Sequence, residues 1–357
     1  MAPVRIATFV ATLALATSLA AQEEVAELTG TLSFRIGSPS GRVERLVVAI
    51  GDGGAGPYKA VLTGDPGLPT HAIYRPRDLR PFTAQNPMPI VAFANGGCRN
   101  TSGEFRNMLS ELASHGFLVV AVGPAGNAVV MGSEERTNTT NAAQLLDGVT
   151  WAIAENSRAE GPYYHRLATT KVAVTGQSCG AQLAVDVSTD PRVATTIAMS
   201  QGINMNPPAT GAVNATGRGP GRGPAVAQDK RYAPYAPALV RSPEDPAPAP
   251  RPNRAEVLGK LHAPILYITG GDTDSGHRSA SLNYAASDGA PAAHAWQPVG
   301  HYPATYREPN GGAFAQAAAA WLNWQLKGDK EAAKVFLGTD CGLCKDPKWT
   351  LQKKRLE

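Results

Sequence analysis

Lys171-Val-Ala-Val-Thr175, followed by Gly176-Gln-Ser178-Cys-Gly180, is the stretch from which the fold can be read. Residues 171–175 are apolar and β-branched, the composition of a buried strand. Residues 181–188 carry Leu183, Ala184 and Val187 at helical spacing and contain neither Gly nor Pro. A small-x-Ser-x-small pattern thus falls on a strand-to-helix turn. In a nucleophile elbow the serine takes a strained backbone conformation, and flanking glycines leave room for the tight turn. Its hydroxyl stands above the sheet, beside the N–H of the next residue at a helix N-terminus. A glycine-rich turn without chemistry has the same local pattern, so the rest of the chain must supply a base, an acid and an oxyanion hole.

Outward from this turn the chain alternates strand and helix. Strands are expected over 89–94, 117–122, 171–175, 193–199, 265–269 and 293–299. Helices fall between them. Phe105, Met108, Leu109 and Leu112 mark one apolar face, and Ala142, Leu145, Leu146, Val149 and Ile153 another. A short helix is expected over 278–286. A last one carries Phe314, Ala318, Trp321, Leu322 and Gln325 on one side. This alternation predicts an α/β fold: a mostly parallel central sheet with helices on both faces. Residues 22–88 hold short runs at 32–36, 46–50, 58–62 and 71–74, separated by Gly, Pro and Asp, and read as antiparallel strands at the N-terminal edge of that sheet. Gly51-Asp-Gly53-Gly-Ala-Gly56 matches a dinucleotide fingerprint. Another strand-like run follows it where a helix N-terminus would be needed, so a dinucleotide site is rejected.

The 357 residues, 43% of them hydrophobic, suffice for one large domain over 22–357. Residues 1–21 read as a secretory signal: Arg5 gives the positive start, 6–19 the apolar core, and Ser18-Leu-Ala20 the small-residue cleavage site. That places the mature chain outside the cytoplasm, secreted or periplasmic, and no other stretch is long and apolar enough to span a bilayer. Residues 203–252 are rich in Gly, Pro, Ala and Arg without periodicity, and read as a flexible insertion. The net charge of +4 is weak, and no aromatic ladder or nucleic-acid motif accompanies the arginines of that insertion, so no nucleic-acid partner is expected. A monomer is expected. The tail 328–357 contains Cys341-Gly-Leu-Cys344. It lacks the strand and helix of a redox motif and the second ligand pair of a zinc site, leaving a small local disulfide.

In a parallel sheet the chemistry sits beyond the carboxyl ends of the strands. Of the seven histidines, His301 directly follows the last strand, where the order Ser…Asp…His puts its base. His294 lies within that strand and is expected to pack; His115 reads as a helix C-cap. The acid should follow the preceding strand, where Thr269-Gly-Gly-Asp272-Thr-Asp274 offers two carboxylates. A calcium loop there is excluded because the remaining ligands are missing, and no metal or organic cofactor is implied. One oxyanion donor is the amide of Cys179. The other should come from Asn95-Gly-Gly97-Cys98, a glycine-rich turn after strand 89–94 that allows close backbone approach. The two cysteines would then flank one oxygen, which suggests a Cys98–Cys179 disulfide in an oxidising compartment, with two buried thiols as the alternative. Gly97, Gln177, Gln201 and Tyr302 are candidate substrate contacts.

Asn95-Gly-Gly-Cys98, Leu112-Ala-Ser-His-Gly-Phe117-Leu-Val-Val, Gly176-Gln-Ser-Cys-Gly180 and Ile268-Thr-Gly-Gly-Asp-Thr-Asp274 resemble the α/β-hydrolase branch of secreted, cutinase-like polyester hydrolases, chlorophyllases and dienelactone hydrolases. The resemblance covers roughly residues 70–327, without 203–252. It implies an α/β-hydrolase fold and a serine carboxylic-ester hydrolase in which Ser178 is nucleophile, His301 base and Asp274 acid. The acid of that branch closes a G-x-x-x-D turn, matched by Gly270 and Asp274, which decides between the two carboxylates. It also assigns the second oxyanion amide to Cys98. The chain departs from polyester-active members at Gln177, where they carry Trp or His, and at Ser200-Gln-Gly202, which lacks their aromatic clamp. Small-molecule and polymer-linked esters are the expected substrates. A serine peptidase or amidase of the same fold is the first alternative and a non-catalytic binding protein the last.

Overall fold

The computed structural model describes residues 25–26, 30–37, 43–50, 53–129, 140–202 and 254–356. The signal segment 1–21 and the insertion 203–252 lie outside the described residues. The N-terminal elements are strands β1 (Val25–Ala26), β2 (Gly30–Gly37), β3 (Val43–Ile50), β4 (Ala60–Thr63) and β5 (His71–Pro76). The alternating part follows: β6 (Met88–Ala94), α1 (Arg106–Ser114), β7 (Leu118–Val122), α2 (Ala125–Val129), α3 (Ala142–Ser157), β8 (Leu167–Gln177), α4 (Cys179–Asp186) and β9 (Val193–Met199). Then come α5 (Arg254–Gly259), β10 (Ile265–Thr269), α6 (His277–Ala286), β11 (Ala292–Trp296) and α7 (Gly312–Lys327). The chain ends with α8 (Lys330–Ala333), α9 (Gly342–Lys345) and β12 (Thr350–Lys354).

Ten strands form one sheet in the order β1-β4-β5-β7-β6-β8-β9-β10-β11-β12. The run from β7 to β11 is parallel throughout. Antiparallel strands close both edges: β1, β4 and β5 on one side and β12 on the other. Along β6 the side chains alternate between faces with period two. Val91 and Phe93 pack with Phe105, Met108, Phe314 and Trp321 of the layer formed by α1 and α7. Ile90, Ala92 and Ala94 pack with Leu145, Val149 and Leu183 of α3 and α4. Both faces of the parallel strands are covered, which is why their sequences are continuous apolar runs rather than alternating ones.

Two expectations are corrected. The runs around 32–36 and 46–50 do not join the main sheet; β2 and β3 pair with each other as a separate two-stranded sheet. The tail also ends in a strand. β12 pairs with β11 from Ala292↔Lys354 to Trp296↔Thr350. The first two parallel additions go to opposite sides of β6, β7 on one flank and β8 on the other. In open sheets of this kind the crevice lies outside the strand carboxyl ends at such a reversal. The ends of β6 and β8, which carry Gly97 and Ser178, meet there.

Candidate active site

Ser178 joins β8 to α4 with φ 54° and ψ −118°, a backbone conformation that costs a non-glycine residue about 1–3 kcal/mol. The flanking glycines make this geometry feasible. A Cβ on Gly180 would lie 2.0 Å from the carbonyl oxygen of Ala94, and one on Gly176 would lie 2.4 Å from the Gly180 backbone. The elbow is thus pressed against the end of β6, and its register is fixed by the Ser178 amide donating to the Met199 carbonyl at 2.8 Å.

The base and acid loops are laced together before either side chain is considered. The amides of Val299 and Gly300 donate to the Gly270 carbonyl at 3.0 and 2.9 Å. A Cβ on Gly270 would lie 1.9 Å from the Gly300 oxygen, so only glycine permits this contact. His301 is thereby delivered over the elbow: its Nε2 stands 2.9 Å from Ser178 Oγ, and its Nδ1 stands 2.6 Å from Asp274 Oδ1. The Asp274 side chain is fully buried. It accepts from the Gly270 amide at 2.9 Å and the Gly276 amide at 2.8 Å. Burial alone would raise its pKa, but these hydrogen bonds and the one from His301 outweigh it and hold the carboxyl below its usual value. An ionised carboxylate only accepts, so Nδ1 carries the imidazole proton. Nε2 is left with a lone pair facing the serine hydroxyl. Asp272, the other carboxylate of the loop, is turned out to solvent by the 3₁₀ turn over Gly271–Thr273, its nearest oxygen 3.7 Å from His277 Nε2.

The loop after β6 is braced by Asn95, whose side-chain amide donates to the carbonyls of Arg99 at 3.0 Å and Val122 at 2.6 Å. Gly97 and Cys98 both have positive φ, 63° and 49°. Cys98 and Cys179 stand at disulfide-bonding distance, with Cα atoms 5.2 Å apart. The bridge ties this loop to the first residue of α4. The Cys179 amide belongs to the first turn of α4 and so has no carbonyl acceptor within the helix. Cys341 and Cys344 form the second such pair, at the start of α9.

The remaining candidates divide. Tyr302 lies at the mouth, its ring 5.0 Å from that of His301. Gln177 is fully buried, and its Nε2 donates to the His301 carbonyl at 3.1 Å, so it supports the base loop from below. Gln201 is half-buried and accepts from Ser279 Oγ at 2.7 Å, anchoring the residues after β9 to α6. His294 packs, fully buried, between His277 and Trp296, and burial holds its pKa down at about 3. Thr269 Oγ1 bridges it to His277, at 2.9 Å and 2.7 Å. His115 caps α1 and pairs with Glu111.

Among the described residues, no group of three or more His, Cys, Asp or Glu is placed to hold a metal ion, and no helix is long and apolar enough to cross a membrane. No protein-family model matches the chain, and no curated protein matches it.

Proposed function

We propose that the protein is an α/β-hydrolase acting as a serine carboxylic-ester hydrolase through an acyl-enzyme. The observation that carries this reading is the continuous hydrogen-bonded path from Asp274 through His301 to Ser178, built at the ends of three strands in the chain order Ser…Asp…His. Ser178 Oγ attacks the ester carbonyl while His301 Nε2 takes its proton. Asp274 holds the tautomer and stabilises the imidazolium that forms. The amides of Cys98 and Cys179 receive the charge on the carbonyl oxygen; one such donor is typically worth ~10²–10³ in rate. His301 then protonates the leaving alcohol, and a water activated by the same imidazole releases the acid. Small-molecule and polymer-linked esters are the proposed substrates. The two cysteine pairs fit an oxidising compartment, in keeping with a secreted or periplasmic chain.

The test compares purified mature protein on a nitrophenyl acyl ester and on the matching anilide. Ester hydrolysis that disappears in Ser178→Ala, with the anilide turned over far more slowly, agrees with the proposal. Faster turnover of the anilide would make it an amidase, and no turnover of either would remove the enzymatic reading.

A further inference from the structure

Tyr302 combines an exposed ring with an inward-facing hydroxyl. The residue is 43% exposed, and its ring stands edge-on to the imidazole of His301 at 88°. Yet the phenol reaches inward, close enough to Ser178 for that residue to act on its ionisation. It also faces the backbone of Gly96, where a Cβ would lie 2.9 Å from it. The hydroxyl therefore occupies the hollow between the loop after β6 and the elbow, the two backbones that carry the oxyanion amides. Gln177 Oε1 opens into the same hollow, 2.3 Å from that Cβ position; it is buried and has no hydrogen-bond partner. Through Nε2 the same side chain grips the His301 carbonyl, the peptide from which Tyr302 extends.

We infer that the Tyr302 phenol is a third, side-chain donor to the oxygen on which charge develops during acyl transfer, with Gln177 as the residue that positions it; this rests on the ester-hydrolase reading. In the free protein the Ser178 hydroxyl donates to His301, with the phenol of Tyr302 beside it. On attack, Oγ loses its proton to Nε2 and becomes an ether-like, weaker acceptor. The former carbonyl oxygen, now bonded to the same carbon as Oγ, becomes an anion and a stronger acceptor. A phenol already in the hollow beside the elbow reaches that oxygen by a small rotation of the ring, which the exposed face of Tyr302 permits. The bond is made most strongly in the transition state, so it acts on kcat more than on KM. The phenol stays protonated at neutral pH: desolvation pushes its pKa up, against smaller contributions from Arg99 and Ser178.

The Tyr302→Phe variant separates a hydroxyl role from packing, because it keeps the ring. Steady-state hydrolysis of a nitrophenyl acyl ester and the rate of inactivation by a fluorophosphonate are measured on wild type and variant. The expected result is a loss of about 10²-fold in kcat with KM within about twofold, and a parallel slowing of inactivation. Gly96→Ala fills the same hollow and should lower kcat as well, and the double variant should lose little beyond the worse single one, since both remove one interaction. Wild-type kcat in Tyr302→Phe, a change confined to KM, or fully additive losses in the double variant would overturn the inference while leaving the ester-hydrolase reading intact. A wild type that neither hydrolyses esters nor reacts with the fluorophosphonate would overturn both.

Discussion

The Cys98–Cys179 cross-link should matter for stability and for rate together, and the double variant Cys98→Ser, Cys179→Ser tests both. The bridge spans 81 positions of sequence. In the chain-entropy account, removing a loop of that size frees the unfolded chain by about 4.5 kcal/mol. At ~2.1 cal/mol/K per residue of unfolding entropy, the roughly 260 described residues give about 0.55 kcal/mol per degree, so the melting temperature should fall by about 8 °C. The rate should fall too. Gly97 and Cys98 both hold left-handed backbone next to the bridge, and the bridge fixes one proposed oxyanion amide against the other. Loosening that geometry sacrifices part of the ~10²–10³ that one donor is worth. Thermal unfolding followed by circular dichroism and ester turnover at 25 °C are the assays. Alkylation without reductant should leave the wild-type mass unchanged. Two alkylated thiols at 98 and 179, or a double variant that melts within about 2 °C of wild type with unchanged kcat, would refute the reasoning.

Replacing Asp274 by Asn should lower kcat by about 10⁴ with little change in substrate binding, because an amide no longer fixes the proton on Nδ1; a loss below tenfold in steady-state ester hydrolysis would contradict that role. Stability should fall on the acid side of neutrality through His71. Burial holds its folded pKa at about 4, against a smaller opposing effect of its hydrogen bond to the Gln144 carbonyl. The unfolded chain takes up this proton near pH 6.5 and the folded one does not, so the stability present above pH 6.5 declines as pH drops towards 4, by about 3 kcal/mol in total. His71→Gln should flatten the dependence of melting temperature on pH in that window, and an unchanged slope would assign it elsewhere. Asp274, whose carboxyl is held low, adds stability that is lost only as pH falls below the ordinary carboxylate range.

The parallel part of the sheet was legible because both its faces are buried: apolar runs at 89–94, 171–175, 193–199 and 265–269 can be little else when helices of regular apolar spacing separate them. The serine was legible because it closes such a run; the histidine was legible from its place after the last strand, which ends at Trp296, short of the expected 299, so that a four-residue turn carries His301. Asp272 and Asp274 were not separable from their residues alone. They lie two apart in one glycine-rich loop, and a single 3₁₀ turn decides which faces inward. β12 was hidden because Thr-Leu-Gln-Lys-Lys has one apolar residue. It is held by backbone pairing to β11 and by the packing of Trp349 on Phe314, contacts that no local pattern announces. Gln177 was singled out only because it adjoins the nucleophile, and its grip on the base loop was not legible. Its fully buried place at the end of β8 points it beneath the base loop, and only the approach of residue 301, which is 124 positions away, reveals what it holds.

The most direct test of the catalytic account is intact-mass and peptide-mapping analysis of the mature protein after exposure to a fluorophosphonate. One adduct on Ser178, formed in wild type, absent in Ser178→Ala and much slower in His301→Ala, is the predicted result. No adduct, an adduct on a different residue, or undiminished labelling without the imidazole would contradict it.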